Sequence, residues 1–330
     1  MEIKNTALVT GASGFVGSHL VDYLLEKNFN VRCIVRKTSS LKWLEGKHVE
    51  LFDCGLTDKD GLRQALSGVD YVFHVAGVVK SKSPEGYFEG NVEVTKNILE
   101  AALEFKDGIR KFLIVSSQTA SGPSHGEVAV TENDVCLPIT TYGKSKLAEE
   151  ELAKQFMDKL PVTICRAPAV YGERDTEILI FFKTFNSGLM TTIGFDKKLL
   201  SIIHVRDLVE GFYLAAISEK SSGQIYFISS EQFYSWDEVG KVTSNVLKKN
   251  PLKVKVPHFI VYTLAAVAQL FAAFSKKPAT LNIEKARDIT QQYWICSTEK
   301  AVKELGYHQN ISIEEGIRRT CEWYKKMGWI

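Results

Sequence analysis

The strongest constraint on the fold lies in twelve residues near the start of the chain, TALVTGASGFVG at 6–17. An apolar, β-favouring run (Thr6–Thr10) enters a turn with glycines at Gly11, Gly14 and Gly17, and a helical pattern, Gly17–Lys27, leaves it. A tight turn of this kind needs residues without Cβ where the backbone bends sharply and where helix and strand approach closely. The helix N-terminus then presents unpaired N–H groups and a partial positive charge, a ready site for an anion. The G-x-x-G-x-x-G spacing differs from the G-x-G-x-x-G form of many dinucleotide-binding turns. Glycines alone would fit an incidental turn. The flanking strand and helix, at the head of the chain, favour a pyrophosphate cradle formed by Gly11, Ser13, Gly14, Phe15, Val16 and Gly17.

The next 150 residues repeat the theme. Val31–Val35, Val49–Phe52, Tyr71–Val75, Lys111–Val115 and Val162–Cys165 read as strands, and Lys59–Leu66, Val92–Phe105 and Tyr142–Phe156 as helices. Strand–helix alternation implies βαβ units and a parallel sheet covered on both faces, a doubly wound α/β Rossmann fold. After residue 172 the pattern loosens and becomes mainly helical. Gln224–Ile228 reads as a strand returning to the main sheet, and Ser235 with Glu238 has capping-box spacing. The expected organisation is a dinucleotide-binding domain over 1–172, rejoined by 202–230, and a smaller substrate domain from 173–201 and 231–330. The chain of 330 residues suits two such units. Its net charge of +2 gives no basic footprint for nucleic acid, and 45% hydrophobic with 24% charged residues excludes disordered and fibrous classes.

The end of the second strand bears on which dinucleotide binds. An acid there would hold the ribose 2′-hydroxyl of NAD, and an arginine the 2′-phosphate of NADP. The chain has Arg36 and Lys37 followed by Thr38-Ser39-Ser40, with no acid. A guanidinium fork suits phosphate, so NADP is expected over NAD. Lys37 taken alone also fits an ordinary solvated lysine.

Residues 142–146 read YGKSK. Tyr142 and Lys146 are four apart and share a helix face. A free phenol titrates near pH ~10, and a neighbouring ammonium should lower that value. The fifth strand ends in Ser116 and Ser117, with Thr119 beyond, where open α/β sheets bind ligands. Ser117 is the candidate to orient a carbonyl or hydroxyl. The surrounding residues lack the G-x-S-x-G of a hydrolase nucleophile.

With these pieces in place the chain resembles an extended short-chain dehydrogenase/reductase of the epimerase/dehydratase superfamily. The matching segments are TGASGFVG at 10–17, HVAG at 74–77, GNVEVTKNILEAA at 90–102, VSS at 115–117 and YGKSK at 142–146. CRAPAVYGERD at 165–175, IHVRDLVEGF at 203–212, EKAVKELGY at 299–307 and the following EEGIRRTCEWYKKMG extend it over nearly the whole chain. The VRCIVRKTSSL run and the C-terminal pattern are similar to dihydroflavonol-reductase-like and 3β-hydroxysteroid-dehydrogenase-like members. The resemblance implies Tyr142 as general acid/base, Lys146 as its tuner and ribose ligand, and Ser117 as carbonyl orienter. It implies support from Asn91, which read locally would equally cap the 92–105 helix. It places Ala76, Gly77, Pro168 and Val170 against the cofactor, and puts His204 at a position that shapes the pocket or anchors the second domain. At 53–58 the chain departs from the family's G-D-L-x-D: the adenine-contacting acid falls on Gly55, and Asp53 is the substitute to test. The family often forms a homodimer through the helices at 92–105 and 142–156.

The expected activity is hydride transfer between NADP and a carbonyl or secondary alcohol of a small apolar substrate such as a ketone, aldehyde or sterol. The alternatives are a nucleotide-sugar epimerase or dehydratase holding NAD tightly, and a nonenzymatic NADP sensor. Phe181, Phe182, Phe185, Leu189 and Met190 suggest either an apolar pocket wall or ordinary helix core. Six cysteines without C-x-x-C spacing give no metal site and point to a reducing, cytoplasmic setting. The start of the chain leaves no space for a signal peptide's apolar region. One segment strains the picture: FIVYTLAAVAQLFAAF at 259–274 carries no charge and precedes Lys276 and Lys277. It reads either as a helix buried in the substrate domain or as a peripheral membrane contact.

Overall fold

The structure is a computed structural model describing residues 4–273, 275 and 279–330, so Phe274, Lys276 and Lys277 lie outside the described residues. Its centre is a seven-stranded parallel sheet. The strands are β1 (Thr6–Thr10), β2 (Asn30–Ile34), β3 (Val49–Phe52), β4 (Tyr71–His74), β5 (Lys111–Ser117), β6 (Val162–Ala167) and, after two excursions, β11 (Ile225–Phe227). Their spatial order is β11-β6-β5-β4-β1-β2-β3. The chain runs outward from β1 through β2 and β3, then returns to continue from β4 on β1's other side. The topological switch point therefore falls between β1 and β4, where a crevice opens beyond the strand ends. Between β6 and β11 come β7 (Ala169–Tyr171), β8 (Leu189–Ile193), β9 (Leu199–Leu200) and β10 (Ile202–His204); β12 (Leu252–Val256) and β13 (Tyr293–Trp294) follow β11. These six form parallel pairs, β7 with β10, β8 with β12 and β9 with β13.

Burial on both faces explains why β1, β4 and β6 are mostly apolar without strict in-out alternation. One face is covered by α1 (Phe15–Glu26), α8 (Val205–Ile217) and α12 (Glu299–Leu305), with Leu20, Leu24, Leu208 and Phe212 in the core. The other is covered by α2 (Lys59–Leu66), α4 (Val94–Ala102) and α6 (Thr141–Lys154), through Leu62, Ile98, Leu99 and Ala153. The short α3 (Pro84–Phe88) and α5 (Gln118–Ser121) sit in the loops after β4 and β5. A separate core joins α7 (Leu179–Asn186), α9 (Trp236–Leu247) and α13 (Ile313–Lys326). A fourth, smaller one joins α10 (His258–Ala273) to α11 (Ile283–Ile289) through Val261, Ala265 and Ala286.

Three sequence readings are decided or adjusted here. Phe182, Phe185 and Met190 are fully buried in the α7–α9–α13 core, so they pack the second unit rather than wall a pocket. The helix expected over 92–105 is shorter, because a π-turn at Glu89–Glu93 precedes α4 and a 3₁₀ turn at Leu103–Phe105 follows it. Within the described part of the 259–274 segment, α10 buries Val261 and Ala265 along one edge and leaves Phe259, Leu264, Val267, Leu270 and Phe271 exposed. The capping box is present, with Ser235 Oγ accepting from the Glu238 N–H and the Glu238 carboxylate accepting from the Ser235 N–H.

Candidate active site

The glycine turn is built as its chemistry demands. Gly11 has φ +68°, and a Cβ there would stand 2.8 Å from the Ala76 nitrogen. A Cβ on Gly17 would stand 2.2 Å from the Gly11 carbonyl oxygen, so both positions exclude a side chain. The Gly14 N–H closes the turn on the Gly11 carbonyl at 2.9 Å. Helices α2, α6 and α11 have side-chain caps from Asp58, Thr140 and Asn282. Helix α1 has none: its N-cap is Gly14 and its first turn holds no acid. An uncapped N-terminus flanked by Ser13, Phe15, Val16 and Gly17 at the switch point fits a dinucleotide pyrophosphate.

Arg36 and Lys37 stand exposed just beyond β2. Arg36 runs alongside Gly55, where a Cβ would lie 3.7 Å from the Arg36 Cγ, so the guanidinium stem occupies the neighbourhood the family's acid would use. Asp53 is exposed in the turn after β3, with no described hydrogen bond to the glycine turn. Pro168 and Val170 follow β6, and Val170 pairs with Ile203 of β10. Gly77 faces two of the candidate site residues directly: a Cβ there would meet the Asn91 Oδ1 at 3.1 Å and the Lys146 Nζ at 4.0 Å.

Ser117 ends β5 and caps α5, its Oγ accepting from the Thr119 N–H at 3.2 Å and the Thr119 hydroxyl at 2.9 Å. Because both bonds arrive from Thr119, the Ser117 hydrogen is free to point elsewhere, and Ser117 lies close enough to Tyr142 to draw its phenol pKa down. Thr140 caps α6 through the Gly143 N–H, which fixes the first turn that carries Tyr142. The Tyr142 ring sits 6.3 Å from that of Tyr87. Deeper in, Arg166 of β6 grips the Glu150 carboxylate with two bonds of 3.0 and 2.7 Å and so ties α6 to the sheet.

Lys146 is buried. Its Nζ donates to the Val115 carbonyl at 2.8 Å and pairs with the Glu149 carboxylate. Burial opposes the ammonium, yet Glu149 and Tyr142 outweigh it and hold this lysine's pKa above its ordinary value. Burial pushes the Tyr142 phenol up, Lys146 and Ser117 draw it down, Glu149 pushes it up again, and the outcome lies above the usual tyrosine range. This reverses the direction the sequence suggests, because burial outweighs the pull of the Lys146 ammonium, with Glu149 adding to the upward push.

Behind Lys146 runs a file of buried polar groups. The Ala76 N–H reaches the Thr10 hydroxyl at 3.1 Å, Thr10 meets His74 Nδ1 at 2.8 Å, and His74 Nε2 meets the Thr95 hydroxyl at 2.8 Å. Thr95 lies 2.6 Å from the Asn91 carbonyl and 2.8 Å from the Glu149 Oε1. The Asn91 carbonyl can only accept, so the Thr95 hydrogen goes to it or to Glu149, Thr95 accepts from His74 Nε2, and Nδ1 of the neutral ring is left to accept from the Thr10 hydroxyl. Burial holds His74 neutral, its pKa pushed down to about 3. Asn91 does not cap α4. Its Oδ1 accepts from the Val78 N–H at 2.7 Å and its Nδ2 donates to the Ser145 hydroxyl at 2.9 Å, joining the loop after β4 to α6.

In front of Tyr142 lies a cavity of about 160 Å³, bordered by Tyr87, Thr119 and Thr140 and, from the second unit, by Thr280, Asn282 and Lys285. Glu284 accepts from both the backbone N–H and the hydroxyl of Thr141, so α11 is fastened to the start of α6. None of these second-unit residues is legible from sequence spacing. His204 stands elsewhere. It caps α8 through the Arg206 N–H and lies 3.3 Å from the Glu173 carboxylate, an anchoring role. Asp207 next to it accepts from the Asn310 and Ile311 amides. Arg174 binds the Ser18 hydroxyl and the Asp22 carboxylate of α1. Among the described residues there is no His, Cys, Asp and Glu cluster that could hold a metal ion.

A parallel sheet with this turn at its switch point and Ser, Tyr and Lys beyond β5 defines an NAD(P)-binding oxidoreductase of the Rossmann type. The family model for the NAD dependent epimerase/dehydratase family matches residues 7–236, and the chain belongs to that family. It is similar to a ceramide reductase of Caulobacter vibrioides, 24% identical over 100% of this chain and 97% of the relative. It is also similar to the mouse decarboxylating sterol-4-alpha-carboxylate 3-dehydrogenase, 26% identical over 95% of this chain and 89% of the relative. Its fold matches the crystal structure of UDP-glucuronic acid 4-epimerase from Bacillus cereus in complex with NAD, with a TM-score of 0.79, 22% identity, and 98% and 99% of the two chains covered.

Proposed function

We propose that this protein is an NADP-dependent reductase or dehydrogenase acting on a carbonyl or secondary alcohol of an apolar, lipid-like substrate in a reducing, cytoplasmic setting. The observation that carries the reading is Tyr142 bordering the cavity, with Ser117 and the buried Lys146 both close enough to draw its phenol pKa down. NADP is favoured over NAD by Arg36 beside Gly55 and by the missing acid after β2. The substrate class is supported by similarity to a ceramide reductase and a sterol dehydrogenase. Six free thiols suit the compartment.

The turn from Gly11 to Gly17 would hold the pyrophosphate, and Arg36 the 2′-phosphate. The nicotinamide, when bound, supplies or receives the hydride. In the reductive direction Ser117 donates a hydrogen bond to the substrate carbonyl oxygen, and Tyr142 gives that oxygen its proton as charge develops. A phenol kept protonated at neutrality is suited to this donor role. Lys146 stabilises the phenolate left behind, and water returns the proton. In oxidation the same groups run in reverse, with the phenolate as base.

The test is a panel of long-chain and polycyclic ketones and aldehydes, run with NADPH and NADH side by side. Consumption of NADPH in preference to NADH is the expected result. A protein that purifies with NAD bound and shows no net consumption of either would instead be an epimerase or dehydratase.

A further inference from the structure

We propose that α10, with β12 beside it, is a docking surface for an anionic lipid bilayer that sets the mouth of the catalytic cavity against the membrane. Helix α10 has no acid in its first turn and no base in its last, and its opening His258 lies 3.5 Å from the Asp196 carboxylate. Among the described residues its underside is held by the buried Val261 and Ala265, packed with Ile193, Val256, Leu281 and Ile289, and by a Tyr262–Thr290 hydroxyl contact of 3.2 Å. The rest faces outward. Phe259, Leu270 and Phe271 are 70%, 69% and 74% exposed, and Ile260, Leu264 and Val267 lie between them. Phe195, also exposed, extends the patch past the start of the helix. Side chains of this size and number are costly to leave in water.

Charge identifies the occupant. Between residues 239 and 283 the sequence holds seven lysines, Lys241, Lys248, Lys249, Lys253, Lys255, Lys276 and Lys277, and no Asp or Glu. The whole chain is only +2, so the remainder is net acidic. Lys253 and Lys255 are exposed on β12, immediately before α10; the first has only a 3.8 Å contact to Asp237. An apolar helix face beside the exposed Lys253 and Lys255 of β12, in a stretch of sequence without acids, is the signature of a segment lying in the interface of an anionic membrane. A second copy of this chain fits less well, because a two-fold contact would bring these lysines towards their own copies. Crossing is excluded by length: 16 residues of helix span about 24 Å, short of a bilayer's hydrocarbon thickness of about 30 Å. No helix among the described residues is long and apolar enough to cross.

Position gives the surface a purpose. The C-terminal end of α10 leads into Ala279, Thr280 and Asn282, which border the same cavity as Tyr142. Two contacts pin it there: Lys82 donates to the Ser275 carbonyl, and Gln269 Oε1 accepts from the Ile283 N–H at 3.2 Å. A substrate with an apolar body would pass from the bilayer to Tyr142 beside the helix. This delivery step rests on the proposed lipid-like substrate; the docking does not.

The experiment is co-sedimentation of the full chain with phosphatidylcholine vesicles and with vesicles containing phosphatidylglycerol, at low and high salt. The wild-type protein should pellet with anionic vesicles at low salt and be released by high salt. Leu264→Gln/Leu270→Gln/Phe271→Gln should weaken this by about tenfold or more, with NADPH binding unchanged. Lys253→Glu/Lys255→Glu, which leaves the apolar face intact, should weaken it comparably. Wild-type protein that stays in the supernatant with both vesicles at low salt overturns the proposal. So does a self-association that the triple variant abolishes while vesicle binding is absent. The readout needs no substrate, so it stands or falls separately from the catalytic reading.

Discussion

Glu149 sits one helical turn beyond Lys146 and takes the lysine's ammonium as an ion pair in a place that water does not reach. The partner most able to stabilise a Tyr142 phenolate is therefore already shared with a carboxylate. Glu149→Gln should lower the Tyr142 pKa, because Glu149 is one of the groups raising it. In alcohol oxidation, where the phenolate is the base, the rising limb of the kcat/KM pH profile should move down by about one pH unit. The variant should also melt earlier, since unpairing a buried charge costs about 3–5 kcal/mol. A lower melting temperature with an unmoved limb would leave Glu149 a purely structural residue.

Tyr142→Phe removes one oxygen and leaves the glycine turn untouched. Dinucleotide binding, read by fluorescence titration, should stay near the wild-type value. Turnover should fall by about 10²–10⁴-fold, the usual worth of a positioned proton donor. Wild-type turnover in the variant would remove Tyr142 from the mechanism.

Arg36→Ala should change cofactor choice rather than catalysis. A charge-assisted contact is worth about 1.5–3 kcal/mol, so kcat/KM for NADPH should drop by about 10- to 100-fold while that for NADH holds. Steady-state kinetics with the two cofactors at a fixed substrate concentration measure the ratio. An equal loss with both would mean that Arg36 does not read the 2′-phosphate.

Acid stability should be governed partly by His74 and His19. Burial pushes their pKa values down to about 3 and about 4. Between those values and about 6.5 the unfolded chain binds protons that the folded one refuses. Stability is therefore intact above pH ~6.5 and lost as pH falls, by up to about 1.4 kcal/mol per pH unit for each histidine. Urea midpoints measured across this window should decline, and His74→Gln should flatten the slope even where it lowers overall stability. A slope unchanged by that substitution would assign the acid lability elsewhere.

The parallel sheet, the uncapped glycine turn and the Tyr142–Lys146 pair are legible in sequence because each depends on local spacing: period, turn chemistry and i,i+4 geometry. Glu149 is not. In the run Glu149-Glu150-Glu151 three consecutive acids read as a solvated helix face. Two are buried because α6 presses that side onto the sheet, where Arg166 of β6 meets Glu150 while Lys146, one turn earlier on α6, pairs with Glu149. The cavity rim is hidden for a similar reason, since Thr280, Asn282 and Lys285 arrive from more than a hundred residues away. The apolar run at 259–274 announces itself by composition, yet whether it faces inward is set by how little α11 offers to cover it.

The buried file from Ala76 through Thr10, His74 and Thr95 to Glu149 connects the two working halves of the molecule from beneath. Each donor in it points the same way, and reversing one member would require reversing its neighbours. The Ala76 N–H can only donate and the Glu149 carboxylate accepts, so the file has one direction, fixed at both ends, between the proposed nucleotide end at Ala76 and the proposed proton-handling end at the Lys146–Glu149 pair. Thermodynamic reciprocity then governs the two ends: any bias that an arriving dinucleotide places on the file returns, by the same factor, as a dependence of dinucleotide affinity on the protonation of the Lys146–Glu149 pair.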